Sequence, residues 1–313
     1  MEKNWERSIP FFHINAETVY SLVREIIKKD DIVDIEQAQE GCRTSNYIIS
    51  DINNHKYVLK IFSDEEHQYK KECRILNMLK NEIPVQDILK FDRSISIGNR
   101  YYIIYKYIEG ITLSQSLSAG QMISEKIVKQ AASILAQIHK FRFEEAGFLD
   151  DNLLITNKLK PLNEWYEKFI TSKVENRIGK ECVKSIRSLI KKYEEDLLKL
   201  DCDIRLVHGD FQGTNILVHN DEINGIIDWE FAMAGHPLSD IGQFFRYEEY
   251  FNEKLIYIFE NEYREKSDYI LPENWYNLCK IRDLANLLQL IGFNQEMPNK
   301  YGKIKRIIFK LIK

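Results

Sequence analysis

The stretch "LVHGDFQGTNILV", residues 206–218, sets His208, Gly209, Asp210 and Asn215 between two apolar runs. After a short polar turn, "GIIDWE", residues 225–230, brings another carboxylate, Asp228, to the end of a further apolar run. Apolar runs broken by polar intervals predict strand–loop–strand–turn–strand over 206–230. The acids and the amide have two readings: a pair of turns closed by Asx hydrogen bonds, or a metal–nucleotide site. Phosphoryl transfer needs a place for the triphosphate, a divalent metal to neutralise it and a group to orient the attacking hydroxyl. Mg²⁺ takes hard oxygen ligands, usually one or two from the protein. Asp228 would supply an anionic ligand from a strand end, and Asn215 a neutral amide oxygen. Asp210, five residues before Asn215, would accept a hydrogen bond from a substrate hydroxyl. One loop and one strand end thus carry all three functions, and the spacing favours the metal–nucleotide reading.

The rest of the chain supplies a frame for such a site. Residues 15–30 have a helical apolar period behind an Asn-led capping signal. "DIVDIEQAQ", "SNYIISDI" and "KYVLKIF" read as strands, and a helix is predicted near 64–80 with Tyr69, Ile75, Leu76 and Leu79 on its apolar face. "RYYIIYKYI" is aromatic and β-branched, hence a buried strand. "SEKIVKQAASILAQIHKF" predicts a helix capped by Ser124, and residues 162–200 and the last eighty also read as helical. The expected class is α+β: a β-rich N-terminal lobe over 1–107 and a mostly helical lobe over 108–313.

The bulk properties exclude several classes. The 313 residues carry 44 basic and 48 acidic side chains, a net charge of −4, so nothing in the balance calls for nucleic acid. Five cysteines, at 42, 73, 182, 202 and 279, form no CxxC pair, which suits a reducing compartment. The N-terminal residues lack an apolar signal-peptide core, and no run approaches the ~20 apolar residues of a membrane span. The expectation is a cytoplasmic protein with no membrane partner; its oligomeric state is not legible.

"HGDFQGTN", followed eighteen residues after its Asp by "IIDWE", resembles the catalytic and metal loops of the aminoglycoside phosphotransferase family, which has a bilobal protein-kinase-like fold. Gly209 stands where a protein kinase has Arg, and Trp229-Glu230 replaces Phe-Gly; both are usual in the small-molecule branch and speak against a protein substrate. The resemblance implies that Lys60 in "YVLKIF" contacts nucleotide phosphates, with Glu72 on the next helix as its ion-pair partner. It implies that Lys106 and Ile108, in the "YKYIEG" hinge, present backbone groups to the base, and that Asp240 in "GHPLSDI" braces the catalytic loop. His208 is expected to support that loop rather than to carry protons. The matching motifs run from about 41 to 246.

Further expectations follow. Gly41, with the backbone near Thr44, Ser45 and Asn46, would cover the phosphates, or form a plain hairpin. Tyr105 takes the gatekeeper position, where bulk would favour GTP over ATP, unless it is simply a core tyrosine. The basic tail "KYGKIKRIIFKLIK" is expected to pack its apolar face on the lobe. Candidates for a cationic substrate are Glu230, Glu248 and Glu249, with Asp150 and Asp151. The pairs Trp165/Tyr166 and Trp275/Tyr276 would stack on a ligand or belong to the core.

The implied function is transfer of the γ-phosphate of a Mg²⁺-bound ATP or GTP to a hydroxyl of a small molecule, with an aminoglycoside-type antibiotic suggested by the family. The alternatives are a small-metabolite kinase of choline, homoserine or methylthioribose type, and a non-catalytic nucleotide-binding scaffold. The intact Lys60, Asp210, Asn215 and Asp228 set weighs against the scaffold.

Overall fold

The computed structural model describes residues 5–38, 43–63 and 69–312. Helix α1 (Ala16–Val23) is capped by Asn15, whose Oδ1 accepts from Thr18 N at 2.9 Å. Strands β1 (Ile32–Gln37), β2 (Ser45–Asp51) and β3 (Lys56–Ile61) lead into α2 (Tyr69–Leu79), then β4 (Ile88–Ser94) and β5 (Arg100–Lys106). They form an antiparallel sheet ordered β1-β2-β3-β5-β4.

The sheet is covered on both faces, which explains why "YYIIY" shows no alternation of apolar and polar residues. Tyr102 and Ile104 face one way, into a cluster with Val19, Leu22 and Val23 of α1. Ile103 and Tyr105 face the other way, against Ile75, Leu76 and Leu79 of α2. Each such side chain contributes roughly 1.5–3 kcal/mol by leaving water. β4, absent from the sequence reading, is an edge strand whose Lys90, Asp92 and Arg93 disguise it.

Beyond the hinge come β6 (Ile111–Thr112), α3 (Leu113–Ser118) and α4 (Glu125–Ile138), the last capped by Ser124 Oγ accepting from Ile127 N at 3.1 Å. β7 (Arg142–Phe143) and the hairpin of β8 (Gly147–Leu149) and β9 (Ile155–Lys158) follow; the hairpin was also not anticipated. Residues 162–200 are helical as expected: α5 (Leu162–Phe169), α6 (Ser172–Ile178), α7 (Lys180–Lys192) and α8 (Glu194–Leu200). The opening stretch and its continuation form β10 (Ile204–Val207), β11 (Ile216–His219), β12 (Glu222–Ile226) and β13 (Met233–Gly235). The chain closes with α9 (Pro237–Phe244), α10 (Glu253–Lys266), α11 (Trp275–Ile291) and α12 (Pro298–Leu311). Ile304 and Ile308 of α12 are fully buried, so the basic tail packs as a terminal helix.

Trp165, Tyr166 and Trp275 belong to the core rather than to an open ligand surface. Trp275 stacks on Phe259 with ring centroids 5.8 Å apart, inside an aromatic cluster that includes Phe244 and Phe245. Among the described residues, no helix is long and apolar enough to cross a membrane.

Helix α9 crosses α11 at Gly242. A Cβ there would lie 2.1 Å from the Cys279 carbonyl oxygen and 3.0 Å from Asp283 Cβ. Backbone cannot yield as a flexible side chain does, so the two helices would have to separate. Gly242→Ala is therefore expected to destabilise the fold by about 1–3 kcal/mol, read as a lowered urea midpoint at unchanged slope.

Candidate active site

Two loops and one strand meet where the β-rich sheet faces the helical part. Lys60, near the end of β3, is buried, and its Nζ lies 3.0 and 2.9 Å from the two carboxylate oxygens of Glu72 on α2. The same ammonium donates to Asp228 Oδ1 at 2.9 Å. Burial alone would favour the neutral amine. The carboxylates of Asp228, Glu72 and Glu230 outweigh it and hold the Lys60 pKa above its ordinary value. Glu72 and Asp228 about one ammonium leave negative charge for a further cation to balance, while Glu230 lies 3.7 Å from Arg43.

Asp228 follows β12 with φ +66° and ψ +67°, a left-handed conformation that Asp tolerates better than most residues. Local strain of this kind is held by its surroundings. The Ile227 N–H donates to the Asn215 carbonyl at 3.0 Å, so the β11–β12 hairpin keeps Asn215 beside the metal loop. Asn215 Nδ2 donates to the main-chain oxygen and to Oδ2 of Asp210, both at 2.8 Å. That arrangement commits the amide nitrogen inward and leaves Oδ1 as the atom that could meet a metal. Asn215 and Asp228 fit a Mg²⁺ site completed by phosphate and water oxygens. Asn46 is the strand partner of Lys60, and its buried Oδ1 has no hydrogen-bond partner in the structure, which adds an unsatisfied acceptor beside the site.

Asp240 clamps the catalytic loop. Its Oδ2 accepts from His208 N at 2.7 Å and its Oδ1 from Gly209 N at 2.9 Å. His139, just past α4, lies 3.3 Å from the same Oδ2. Gly209 has φ +79°, and a Cβ there would sit 2.3 Å from the Phe231 carbonyl oxygen, so neither Arg nor Ala fits. His208 packs its ring 4.5 Å from that of Trp229.

Sequence reasoning missed Gln243. Its Nε2 donates to Gly209 O at 2.8 Å and its Oε1 accepts from Phe211 N at 2.7 Å, a second clamp one helical turn beyond Asp240. The signal was available in the i, i+3 spacing on α9. Also missed was Lys71, which crosses from α2 to donate to the carbonyls of Glu230 (2.8 Å) and Ala232 (2.9 Å).

Other expectations need correction. Ser45 and Asn46 are strand residues of β2, as "SNYIISDI" predicts, with their backbone in the ladder, and Ser45 Oγ accepts from Phe12 N at 2.8 Å. Gly41 of the expected cover lies outside the described residues. The Lys106 N–H is committed to Asp87 O at 2.9 Å, so only its carbonyl is placed to meet a base. Ile108 lays its side chain over Gly225, one strand from the metal loop. Tyr105 is buried and donates to Glu72 Oε1 at 2.7 Å, which makes it a support for the Lys60 pair.

Of the acidic substrate candidates, only Glu248 and Glu249 meet, about Lys310. Glu230 is buried, 3.7 Å from Arg43 Nε. Glu248 pairs with Lys280 and with Lys310 (3.4 Å), and Glu249 lies 3.8 Å from Lys310. Asp150 closes a turn through Asn152 N and Leu154 N, and Asp151 lies 3.7 Å from Lys70.

This fold and this constellation define a class: bilobal kinase-like proteins with a small-molecule type of catalytic loop. Residues 34–269 match the phosphotransferase enzyme family (APH), and the chain belongs to it. It is 23% identical over 239 residues to hygromycin-B 4-O-kinase from Escherichia coli, covering 73% of this chain and 67% of that one. It is also 22% identical over 231 residues to acyl-CoA dehydrogenase family member 11 from Homo sapiens, covering 71% of this chain but only 28% of that protein. The chain thus spans less than a third of that relative's length. Among solved structures, a ternary complex of aminoglycoside phosphotransferase APH(4)-Ia with AMP-PNP and hygromycin B superposes with a TM-score of 0.66 at 17% identity, covering 95% of this chain and 98% of that chain. Choline kinase LicA from Streptococcus pneumoniae superposes with a TM-score of 0.65 at 19% identity over the same shares. At such identities the likeness carries the fold.

The site depends on a neutral His208. Its Nε2–H donates to Ile227 O (3.1 Å) while Nδ1 accepts from Asp210 N (3.2 Å), and burial lowers its pKa below the ordinary 6.5 despite nearby Asp240 and Asp228. Burial lowers the His236 pKa too, against the pull of Asp201. The unfolded chain therefore binds protons below 6.5 that the folded chain resists, so this stability is full above 6.5 and is lost as pH falls through it. Denaturant midpoints are expected to be flat above about pH 7 and to fall by about pH 5.5, a fall that shrinks in His236→Gln.

Proposed function

We propose that this chain is a small-molecule kinase that moves the γ-phosphate of ATP to a hydroxyl group. The observation that carries the reading is the buried Lys60 held between Glu72 and Asp228, beside an Asn215 tied to Asp210. In this reading Lys60 donates to nucleotide phosphates while Glu72, steadied by Tyr105, keeps it aimed. Asn215 and Asp228 would hold Mg²⁺, which supplies neutralisation of phosphate charge when bound. Asp210 orients the acceptor hydroxyl and takes its proton during transfer. The Lys106 carbonyl and the Ile108 backbone would meet the base.

ATP is favoured as donor because the bulk of Tyr105, the ground for expecting GTP, is spent on Glu72. A non-catalytic scaffold would need neither Asp210 nor the double clamp of Asp240 and Gln243 on its loop. A quaternary amine would want an open aromatic cage. The face of Tyr276 is instead taken by Lys280, whose Nζ lies 4.0 Å from the ring centroid, which weighs against a choline-type acceptor.

Asp210→Asn keeps the shape of the loop and removes the base. It is expected to lower kcat by roughly 10²–10⁴-fold, with ATP affinity within a few-fold of the parent, measured by coupled ADP release and by calorimetry. Near-parental turnover would refute the assigned role.

A further inference from the structure

A cavity of about 370 Å³ opens between the end of α9, the turn at Glu248–Tyr250, α11 and α12. This is the low end of the ~300–1,000 Å³ range of small-molecule sites. One turn of α9 separates it from the catalytic loop: Asp240 and Gln243 hold that loop, while Gly242, Phe245 and Arg246 line the cavity. Arg246 donates to Gln212 Oε1 at 2.6 Å, two residues beyond Asp210. Arg246 thus links the wall of the cavity to the loop that carries Asp210.

Its charge is opposite to what an aminoglycoside requires. Lys303, Arg306 and Lys310 fall at i, i+3 and i+7 of α12 and so share one helical face, turned to the cavity while Ile304 and Ile308 enter the core. Lys280 of α11 and Arg246 add to them. The lining carboxylates among the described residues are Glu248, Glu249 and Asp283, and each is already engaged by a cation. Asp283 receives both Nε and Nη2 of Arg246, and Glu248 and Glu249 meet Lys280 and Lys310. Although burial opposes it, pairing with Lys280 and Lys310 lowers the Glu248 pKa, so that carboxylate stays charged and engaged. Arg306 has no carboxylate within ion-pair distance among the described residues, and it is exposed at the cavity wall.

We propose that the acceptor is an anionic alcohol, a hydroxylated molecule bearing a carboxylate or a phosphate, whose anionic group is gripped by Arg306 on the α12 face of this cavity. A planar guanidinium with two parallel donors suits either oxyanion. The proposal rests on the phosphotransferase reading only for calling the ligand an acceptor. A polycation would meet net positive charge here, and like charges repel.

The test separates the two readings by measuring binding apart from turnover. Asp210→Asn protein with Mg²⁺-AMP-PNP is titrated by calorimetry with gluconate and glycerate, with glucose 6-phosphate and glycerol 3-phosphate, and with hygromycin B and choline. At least one anionic alcohol is expected to bind, and Arg306→Glu is expected to weaken it about tenfold or more, the loss of a charge-assisted hydrogen bond, without changing AMP-PNP affinity. Which pair binds distinguishes carboxylate from phosphate. Saturable binding of hygromycin B or choline that Arg306→Glu strengthens would overturn the proposal, as would no anionic probe binding below about 10 mM. Binding without phosphorylation by the parent enzyme would count against the kinase reading and leave the anion site standing.

Discussion

The ion cluster of Lys60, Glu72 and Asp228 is the constraint on which the rest of the structure depends. It joins a strand, a helix and a loop whose residues lie 12 and 168 positions apart, with Lys60 and Glu72 buried and Asp228 partly exposed. Taking such charges out of water costs several kcal/mol per ion, and their mutual attraction repays it only with good geometry. Removing one partner leaves an uncompensated buried charge, typically a loss of about 3–5 kcal/mol. The cluster is thus weak as a source of stability and strong as a device for register. It fixes where the β-rich sheet meets the helical part, and its surplus carboxylate charge suits a divalent cation.

Around that cluster the fold spends its polar contacts on holding loops still. Asp240 and Gln243 take up the amides and the carbonyl of the catalytic loop, His208 spans it to the metal loop, and Lys71 ties α2 to the segment after Asp228. Phosphoryl transfer asks the protein mainly for position and fixed charge. A loop with its backbone groups satisfied from outside provides both. The close approach at Gly209 and the close crossing at Gly242 belong to the same scheme, since each lets backbone pass where a side chain could not.

Much of this was legible in the sequence because the chemistry is local. His208, Asp210 and Asn215 sit on one loop, Asp228 follows the next hairpin, and the spacing carries the arrangement without tertiary information. The doubly buried β5 was equally readable, since apolar residues on both faces leave little else for it to be. What failed was non-local. Ser45 begins a segment that reads as a strand, but nothing local shows that the N-terminal segment, through Phe12 N, claims its hydroxyl. Glu248 and Glu249 look like a surface for cations until α11 and α12 bring Lys280 and Lys310 to them. The cationic cavity is assembled from residues near 246, 280 and 306, and in sequence its α12 part reads as the solvated side of an amphipathic helix. Gln243 sits one turn from Asp240, yet an amide on a helix has many structural uses and carries no signal by itself.

Asp228 and its neighbours are proposed as a Mg²⁺-nucleotide site. Calorimetric titration with ATP, in the presence and absence of Mg²⁺, tests it most directly when the parent protein is compared with Asp228→Asn. ATP should bind the parent in a Mg²⁺-dependent manner, and the variant should lose that dependence while its thermal unfolding remains cooperative. Mg²⁺-dependent binding of equal strength in the variant would contradict the account.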